Sequence, residues 1–527
     1  MKTDEITKIY FKRLKFNDDT ELILEKNSIV VFTGANNSGK SQVLRDIEAC
    51  LDKSNYSEML VLKENEPVYC GTIVNKDFLK KHFRLNEYGM YMSIEDGCSF
   101  DINSLEMEWK NRTLYNNIHK MFVHRLSTEE RLTSSNALYR TDNVEGAPIY
   151  KLSKSEKLAQ KISDYFHQAF GVDLVVNRND MTTIPLHVGQ APDKTAYTID
   201  KQDDYYGLVE KLPKLDKQGD GMRSFASILL NTFTSDYSIT LIDEPEAFLH
   251  PPQARILGKM LAKNNLDNSQ LFISTHSEDF LQGLLDAENA NVTVIRINRE
   301  NNVNRMSALQ NDKIKELWGN PILRYSNILS GLFHEKVVVC ESDYDCLFYQ
   351  AIMNAIYEQK NEIAPDILFT HCGGKNRMKD VVSALKAVDV PVIAICDFDI
   401  LNSSQNLKNL TSAFKLEWNG ELAENMKIIY DSMNAKNSAG VDAWQQIKKI
   451  GKAGFGGNEP AAYERVDKIY KSAGLFIVPV GEMECFDKTI NKEKKDWVYS
   501  VLEGRDLKTD AKLEDARKFL QEVVDFK

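Results

Sequence analysis

Residues that can bind phosphate and a divalent cation stand in one glycine-rich segment near the amino terminus. Residues 34–41, GANNSGKS, fit the Walker A pattern GxxxxGK[ST] and follow the apolar run SIVVF at 28–32. In such a loop backbone N–H groups surround the phosphates, Lys40 supplies a positive charge and the Ser41 hydroxyl binds Mg²⁺. The residues expected to contact the nucleotide are Gly34, Asn36, Asn37, Ser38, Gly39, Lys40 and Ser41. The segment therefore predicts a site for ATP with Mg²⁺.

Two carboxylates that could take part in ATP hydrolysis follow the apolar run at 239–242. Asp243 is expected to hold Mg²⁺ through its water shell, and Glu244 is expected to polarise the attacking water. The sequence LIDEPEAFLHP at 241–251, followed by STHS at 274–277, resembles ABC-type ATPases of the repair and defence group. That resemblance implies that His276 contacts the γ-phosphate; a structural histidine of the core is the alternative.

The same resemblance implies a signature segment that reaches the nucleotide of a second protomer. Residues 218–224, QGDGMRS, are similar to it through Gly219 and Gly221, although they depart from the usual LSGGQ form. Small residues fit this role because a helix amino terminus must come close to phosphate. The glutamine of the Q-loop stays open among several candidates in 160–218.

A separate set of carboxylates follows two apolar runs in the second half of the chain. Glu341 ends the run VVVC at 337–340, and Asp397 and Asp399 follow VIAIC at 392–396. Because parallel strands share one edge at their carboxyl ends, these side chains are expected to converge, with Asp345 at the start of the intervening helix. Four carboxylates without matching basic residues repel one another unless divalent cations neutralise them. Mg²⁺ is predicted here, with Mn²⁺ as the alternative.

Glu at one strand end and Asp-x-Asp at a later one resembles the TOPRIM pattern of topoisomerases, primases and some nucleases. The run LFIVPVGEME at 475–484 looks like the Gly-x-Ile-Glu segment that follows the TOPRIM core in nucleases of the OLD (overcoming lysogenization defect) family. This resemblance implies a metal-binding role for Glu484 in preference to Glu482. It also implies a downstream lysine, for which Lys488, Lys492, Lys494 and Lys495 stay open.

An ABC-type ATPase followed by a TOPRIM unit resembles the OLD family, which includes the Gabija nuclease and retron-associated nucleases of anti-phage defence. The implied fold class is α/β: an ATPase head with an inserted α+β region, then a TOPRIM domain with a parallel sheet. The expected boundaries are a head at 1–60 and 215–325, an insertion at 60–215 with a possible role in dimerisation, a TOPRIM domain at 333–490 with its own insertion at 400–470, and a helical tail at 491–527.

The resemblance also implies partners: a homodimer or larger assembly through the heads, and either a protein from the same operon or a reverse transcriptase with its nucleic acid. ATP is expected to control the nuclease. Whether it activates or inhibits is left open.

Composition limits the alternatives. The chain has 527 residues, 43% of them hydrophobic, and a formal net charge of −11. It contains no run of eighteen apolar residues and no signal-peptide pattern, so no membrane association is expected. Its eight cysteines form no CxxC pair, which indicates a reducing cytoplasm. The negative net charge disfavours a protein that binds nucleic acid over its whole surface. Nucleic acid could still bind at two local basic groups, which contain Lys375, Arg377, Lys379, Lys448, Lys449 and Lys452.

Two functions from different classes remain. The first is an ATP-regulated, metal-dependent endonuclease, with Glu244 as the catalytic residue for ATP hydrolysis and Glu341, Asp397 and Asp399 as those for cleavage. DNA is the favoured substrate, and a structured RNA such as tRNA is the other. The second is an ATPase sensor or scaffold whose TOPRIM unit is inactive or binds a partner. The complete set of Glu341, Asp397 and Asp399 favours the first.

The Walker A reading is tested by the Lys40→Ala substitution. It should abolish ATP binding, because the phosphates lose the cation that the motif supplies. Calorimetry with the folded variant measures this directly, and an unchanged affinity for ATP would remove the ATPase interpretation.

Overall fold

The computed structural model describes residues 6–52, 59–94, 97–115, 117–140, 147–193, 202–264, 269–289, 291–300, 303–309, 329–438 and 442–526. The chain separates into two compact units, residues 1–311 and 312–527. Each unit has its own sheet and its own hydrophobic core.

The first unit is a mixture of strands and helices. Its strands are β1 (Lys8–Phe16), β2 (Glu21–Ile23), β3 (Ile29–Thr33), β4 (Leu62–Cys70), β5 (Phe83–Leu85), β6 (Tyr91–Ser93), β7 (Ser99–Phe100), β8 (Val123–Leu126), β9 (Leu138–Tyr139), β10 (Asp173–Val176), β11 (Thr183–Ile184), β12 (Leu186–Gly189), β13 (Ile239–Asp243), β14 (Gln270–Ser274), β15 (Val292–Glu300) and β16 (Val303–Leu309). Its helices are α1 (Lys40–Ala49), α2 (Lys76–His82), α3 (Ile102–Asn111), α4 (Thr128–Thr133), α5 (Pro148–Lys154), α6 (Glu156–Phe170), α7 (Gln202–Val209), α8 (Asp220–Thr234), α9 (Pro251–Lys263) and α10 (Glu278–Asp286).

A six-stranded sheet carries the glycine-rich loop. Its strand order is β16-β15-β3-β14-β13-β8, with β16 antiparallel to β15 and the other neighbours parallel. Every residue of β3 and β14 is buried. Continuous apolar runs of this kind are typical of parallel strands that are covered on both faces. The loop after β3 therefore lies at the same sheet edge as the residues that end β14 and β13.

A smaller antiparallel sheet, in the order β2-β1-β4, shares the hydrophobic core of the six-stranded sheet and is also bonded to it by one buried amide side chain. The Gln270 side-chain carbonyl accepts the Phe11 N–H at 2.9 Å, and its amide donates to the Phe11 carbonyl at 2.7 Å and the Glu25 carbonyl at 2.9 Å. Gln270 at the start of β14 thus satisfies backbone groups of the antiparallel sheet that have no strand partner there.

The segment predicted as an insertion, residues 60–215, contributes strands to both sheets. β4 pairs along its length with β1, and β8 pairs in parallel with β13 at the edge of the six-stranded sheet. The other strands of the segment form small antiparallel sheets of their own, β5-β6-β7, β9-β11 and β10-β12. The segment is therefore part of the fold around the loop, and its predicted role in dimerisation stays a prediction.

The second unit is built on a fully parallel sheet. Its strands are β17 (Lys336–Cys340), β18 (Ile367–His371), β19 (Val392–Cys396) and β20 (Leu475–Ile477), in the order β18-β17-β19-β20. Its helices are α11 (Asp343–Lys360), α12 (Lys375–Ala387), α13 (Ser404–Ala413), α14 (Gly420–Ser438), α15 (Ala443–Ile450), α16 (Glu459–Ala473), α17 (Lys494–Gly504) and α18 (Glu514–Asp525).

The regions added to this sheet are helical. The predicted insertion at 400–470 holds α13, α14, α15 and most of α16, with a short 3₁₀ turn at Gly451–Gly454. The tail packs into the core of the unit: the fully buried Trp497 lies 5.1 Å from Phe348, centroid to centroid, and Phe519 contacts Tyr349. The parallel sheet agrees with the predicted TOPRIM fold class.

In the part of the chain that the structure describes, no helix combines the length and the apolar character needed to cross a bilayer.

Replacing Gln270 with Ala should destabilise the first unit by about 3 kcal/mol, because it leaves the buried Phe11 and Glu25 backbone groups without partners. The stability of the first unit is measured by hydrogen exchange at the Phe11 amide and by the urea midpoint for unfolding of that unit. Gln160→Ala, at an exposed position of α6, is the matched control. Equal midpoints for the two variants would contradict the role given to Gln270.

Candidate functional site

The glycine-rich loop connects β3 to α1 with a backbone that glycine alone adopts easily. Gly34 has φ +141° and Gly39 has φ +103°. A Cβ on Gly34 would stand 2.2 Å from the Ile297 carbonyl oxygen, and one on Gly39 would stand 2.5 Å from the Asn304 amide nitrogen. The same Asn304 amide, on β16, donates to the Ser38 carbonyl. The loop is therefore held from behind by β15 and β16, while Asn36 and Asn37 are exposed.

The Lys40 ammonium group is buried inside this loop. It donates to the Gly34 carbonyl at 2.9 Å and to the Ala35 carbonyl at 2.8 Å. A phosphate in the loop would compete with these carbonyls for the ammonium protons. Lys40 therefore shapes the loop as well as supplying its charge.

Three neighbouring strands bring the predicted magnesium ligands together. The Ser41 hydroxyl donates to Asp243 Oδ1 at 2.9 Å, and the Ser274 hydroxyl donates to the same oxygen. Glu244, the next residue, has the left-handed φ of +48°, and its N–H donates to the Ser274 carbonyl at 3.0 Å. The sharp turn after β13 leaves the Glu244 side chain 41% exposed at the sheet edge.

His276, the predicted switch residue, lies beside Glu244. Its Nδ1 is 3.3 Å from Glu244 Oε1 and 3.7 Å from Glu246 Oε1. Glu246 was not expected at this site. Its buried carboxylate accepts the Thr275 hydroxyl at 2.8 Å and the His276 N–H at 3.0 Å, and burial raises its pKa. Glu246 thereby positions the segment that carries His276.

Arg131 is a second residue that sequence reasoning missed. It lies on α4, is fully buried, and donates from Nη1 to the Asp243 carbonyl at 2.8 Å and from Nη2 to the Thr128 hydroxyl at 3.1 Å. Its guanidinium faces the charges of Glu246, Asp243 and Glu244, while burial lowers its pKa. An arginine in a polar stretch gives no signal that it contacts a strand more than a hundred residues away.

The predicted signature glycines lie at the start of α8. Gly219 is the N-cap of α8, and Gly221, in its first turn, lies against the backbone of Phe248. Gln218, one candidate for the Q-loop, donates to the Lys214 carbonyl at 3.1 Å, and Gln160 bonds Asp164 on α6. Neither bond involves the glycine-rich loop, so the choice of Q-loop glutamine stays open.

The carboxylates of the second unit converge at the carboxyl ends of β17 and β19. The Asp397 N–H donates to Glu341 Oε1 at 3.3 Å. Burial, followed by the charge of Asp399, raises the pKa of Glu341 to about 7. Burial and the charge of Glu341 raise the pKa of Asp397 well above its usual range. Both shifts show that negative charge is crowded at this edge of the sheet.

Two further predicted ligands stand at the margin of this group. Asp345 accepts the Ser342 N–H at 2.8 Å and its hydroxyl at 2.9 Å, and so caps α11; burial raises its pKa to about 6. Glu484 Oε1 accepts the Lys494 N–H at 2.7 Å. The charge of Glu484 acts on Asp345, so the two carboxylates face the same region.

Two lysines offset part of the negative charge. Lys375 Nζ lies 3.0 Å from Asp399 Oδ2, and Lys448 Nζ lies 2.9 Å from Glu482 Oε1 and 4.0 Å from Asp399. Both were expected on a basic edge for nucleic acid. Three of the four candidates for the downstream lysine have contacts of other kinds. The Lys492 ammonium donates to the Ser500 hydroxyl, the backbone N–H of Lys494 donates to Glu484, and the Lys495 ammonium lies over the Tyr499 ring.

The donor set suits a hard divalent cation, because Glu341, Asp397 and Asp399 offer only oxygen atoms in a repulsive cluster. The described residues nevertheless contain no group of three or more His, Cys, Asp or Glu side chains already arranged around a metal position. Lys375 would have to release Asp399, and Lys448 would have to release Glu482, before these oxygens could turn to a cation.

Comparison with known proteins agrees with both units. Residues 211–281 match the AAA_21 family of AAA domains, and residues 332–399 match the TOPRIM domain of overcoming lysogenization defect protein-like proteins. An ATPase match is thus followed by an OLD-like TOPRIM match, which supports an ATPase–TOPRIM fusion similar to OLD proteins. The resemblance predicted from the motifs is thereby confirmed, and so is the fold class.

Two curated relatives carry the same name. The Old nuclease of Escherichia phage P2 is 27% identical over 287 residues, which are 49% of this chain and 45% of that protein. The OLD nuclease of Thermus scotoductus is 26% identical over 174 residues, 30% of each protein. The aligned segments thus span less than half the length of either relative.

Solved structures give weaker matches. An SmcHead bound to the C-winged helix domain of ScpA is 14% identical, covering 58% of this chain and 99% of that chain at a TM-score of 0.33. The SMC head domain from Thermotoga maritima gives 10% identity, the same two coverages and a TM-score of 0.29. The fold is therefore assigned from the strand order and pairing of the two sheets and not from these matches.

Lys448→Met should tighten Mn²⁺ binding in the absence of nucleotide by about threefold to tenfold, because Glu482 and Asp399 lose a competing cation. Titration of Mn²⁺ followed by electron paramagnetic resonance measures the free ion. Lys449→Met, the exposed neighbour on the same helix, is the matched control. Equal dissociation constants for the two variants would show that Lys448 does not compete with the cation.

Proposed function

We propose that the second unit is a metal-dependent endonuclease and that the first unit is an ATPase that regulates it. The observation that carries the proposal is the crowding of Glu341, Asp397 and Asp399 at the edge of a parallel sheet whose sequence matches an OLD-like TOPRIM domain. The relatives' names support a nuclease. DNA is the favoured substrate and a structured RNA the other.

In the nuclease site the carboxylates would hold Mg²⁺ or Mn²⁺, with Glu341, Asp397 and Asp399 as the central ligands and Asp345 and Glu484 at the margin. Divalent cations there would supply an activated water and stabilise the leaving oxygen of a phosphodiester. Lys375 and Lys448, released from Asp399 and Glu482, would then face the substrate phosphate. Their contacts with the carboxylates hold the uncomplexed site together until that exchange.

In the ATPase site Gly34, Asn36, Asn37, Ser38, Gly39, Lys40 and Ser41 would bind the phosphates of ATP. Ser41 and Asp243 already share a hydrogen bond where Mg²⁺ would sit. Glu244 would polarise water, with His276 3.3 Å from its carboxylate and in reach of the same region. Arg131 and Glu246 are positioning residues, since they hold the backbone at Asp243 and His276.

The partners follow from the same reading. Gly219 and Gly221 at the start of α8 would contact the nucleotide of a second copy, which makes a homodimer or larger assembly the working form. An anti-phage role, with an operon-encoded protein or a reverse transcriptase and its nucleic acid as partner, follows from the resemblance alone. A reducing cytoplasm fits a chain whose eight cysteines form no CxxC pair.

One observation favours the scaffold function as a second candidate. The ion pairs of Lys375 with Asp399 and of Lys448 with Glu482 let the acidic edge fold without a cation. A TOPRIM unit with internally paired charges could bind a partner and never cut.

Asp397→Asn separates the two candidates. If the unit is a nuclease, cleavage of plasmid DNA with Mg²⁺ or Mn²⁺ should fall by roughly a hundredfold or more, because a central ligand is lost. ATP hydrolysis should change by less than about twofold, because its residues belong to the other unit. Gel assays, with and without ATP, measure the cleavage of plasmid DNA and of tRNA.

Asp343→Asn, an exposed acid at the start of α11, is the matched control and should cut normally. If Asp397→Asn still cuts every nucleic acid that the unmodified protein cuts, the nuclease assignment fails. If the unmodified protein cuts neither DNA nor tRNA under any of these conditions, the scaffold function takes its place.

A further inference from the structure

A cavity of about 790 Å³ lies in the first unit beside the edge strand β8. Its walls come from α2, β8, α4, the start of α5 and the end of α8, and they include none of the residues 34–41. Its size is that of a pocket for a small organic ligand. None of the sequence motifs accounts for it.

The lining of this cavity is positively charged. Five cationic side chains line it: Lys80, Lys81, Lys120, Arg125 and Lys151. Three carboxylates oppose them: Glu48, Glu130 and Asp236. Among the described lining residues, five cations against three carboxylates leave a surplus of two positive charges, in a chain whose formal net charge is −11. Burial and the charges of Lys81 and Lys151 lower the pKa of His82, a further lining residue, to about 4, so its ring is neutral near pH 7.

The carboxylates are already engaged by particular partners. Glu48 lies 3.3 Å from Arg125 Nη1, and Glu130 lies 2.8 Å from His124 Nε2. Asp236 pairs with Lys81 and lies 3.8 Å from Lys151.

The surplus is carried by two other lysines. Lys80 and Lys120 are exposed at the cavity, and the described residues provide no acidic partner for either.

Two buried nitrogen atoms in the wall also have no partner among the described residues. They are His124 Nδ1 and Arg125 Nε, on consecutive residues of β8. Buried polar atoms in proteins are almost always hydrogen-bonded, so the Arg125 Nε–H points to a missing acceptor or water. His124 Nδ1 is an acceptor when the Nε2–H of the ring donates to Glu130, and it therefore lacks a donor. The His124 ring stacks on Tyr237, with centroids 4.6 Å apart, and adds a flat aromatic surface to the same wall.

We propose that this cavity binds a phosphorylated small molecule of nucleotide size, distinct from the ATP of the glycine-rich loop. The surplus lysines and the Arg125 guanidinium suit phosphate oxygens, and the His124–Tyr237 pair suits a planar ring. The volume is larger than a single phosphate needs. The proposal stands independently of the nuclease function, because it uses residues of the first unit alone.

The helix α4 links this cavity to the ATP site. Glu130 bonds His124 in the cavity wall, and the next residue, Arg131, donates to the Asp243 carbonyl at 2.8 Å. A ligand that draws His124 away from Glu130 acts on α4, and through Arg131 on Asp243. Occupancy of the cavity therefore changes the rate of ATP hydrolysis.

The test uses the full chain with its glycine-rich loop filled by excess ADP and Mg²⁺. Adenosine 3′,5′-bisphosphate is titrated by calorimetry, with inorganic pyrophosphate as a second probe. Saturable binding of the bisphosphate is expected, and the double variant Lys80→Ala/Lys120→Ala should weaken it by about tenfold. Lys12→Ala/Lys110→Ala, two exposed lysines outside the cavity, makes the same change in net charge and should leave it unaltered.

Three results would overturn the proposal. The first is no saturable binding of either probe to the unmodified protein, and the second is an equal loss in both double variants. The third is tighter binding of a 5′-phosphorylated DNA pentanucleotide that displaces the bisphosphate with the same dependence on Lys80 and Lys120, which would make the occupant a strand end. Selective loss with the cavity variant, together with an altered rate of ATP hydrolysis when the bisphosphate is added, supports it.

Discussion

Both sites depend on carboxylates that are held at the carboxyl ends of buried parallel strands. A parallel sheet places these ends along one edge, so acids that are far apart in the chain are brought within a few ångströms. Asp397 donates its N–H to Glu341 although 56 residues separate them. Like charges in a poorly solvated place repel, and the raised pKa values of Glu341 and Asp397 express that cost. Lys375 and Lys448 offset part of this repulsion in the second unit.

In each unit a segment outside the core strands supplies part of the compensating positive charge. Arg131, on α4 within residues 60–215, is buried against the backbone of Asp243 and faces Glu244 and Glu246. Lys448, on α15 within residues 400–470, lies between Glu482 and Asp399. The two segments that match no motif are thus tied to the two acidic sites. A structural change in either segment would affect the nearby acidic site through Arg131 or through Lys448.

The edge strand β8 gives the first unit a second connection of this kind. It pairs with β13, which ends in Asp243, and its own side chains line the basic cavity. Residues 123–131 therefore run from the cavity wall to the Asp243 carbonyl within a single strand and helix. An element of this sort can pass a binding event to the nucleotide site without moving the rest of the sheet.

The sequence alone determined the features that local pattern encodes. Contiguous residues predict the glycine-rich loop, the acids after the apolar runs and the parallel arrangement of the second sheet. Each of these features depends on a strand, a turn and a helix that follow one another in the chain, and strands and helices differ in the periodicity of their apolar residues. Tertiary structure decided the rest. Arg131 and Asp243 are 112 residues apart, Lys448 lies on an amphipathic helix far from the strands in sequence, and the four residues of β8 show no apolar alternation. Such contacts arise only when packing brings distant segments together, and no local spacing records them.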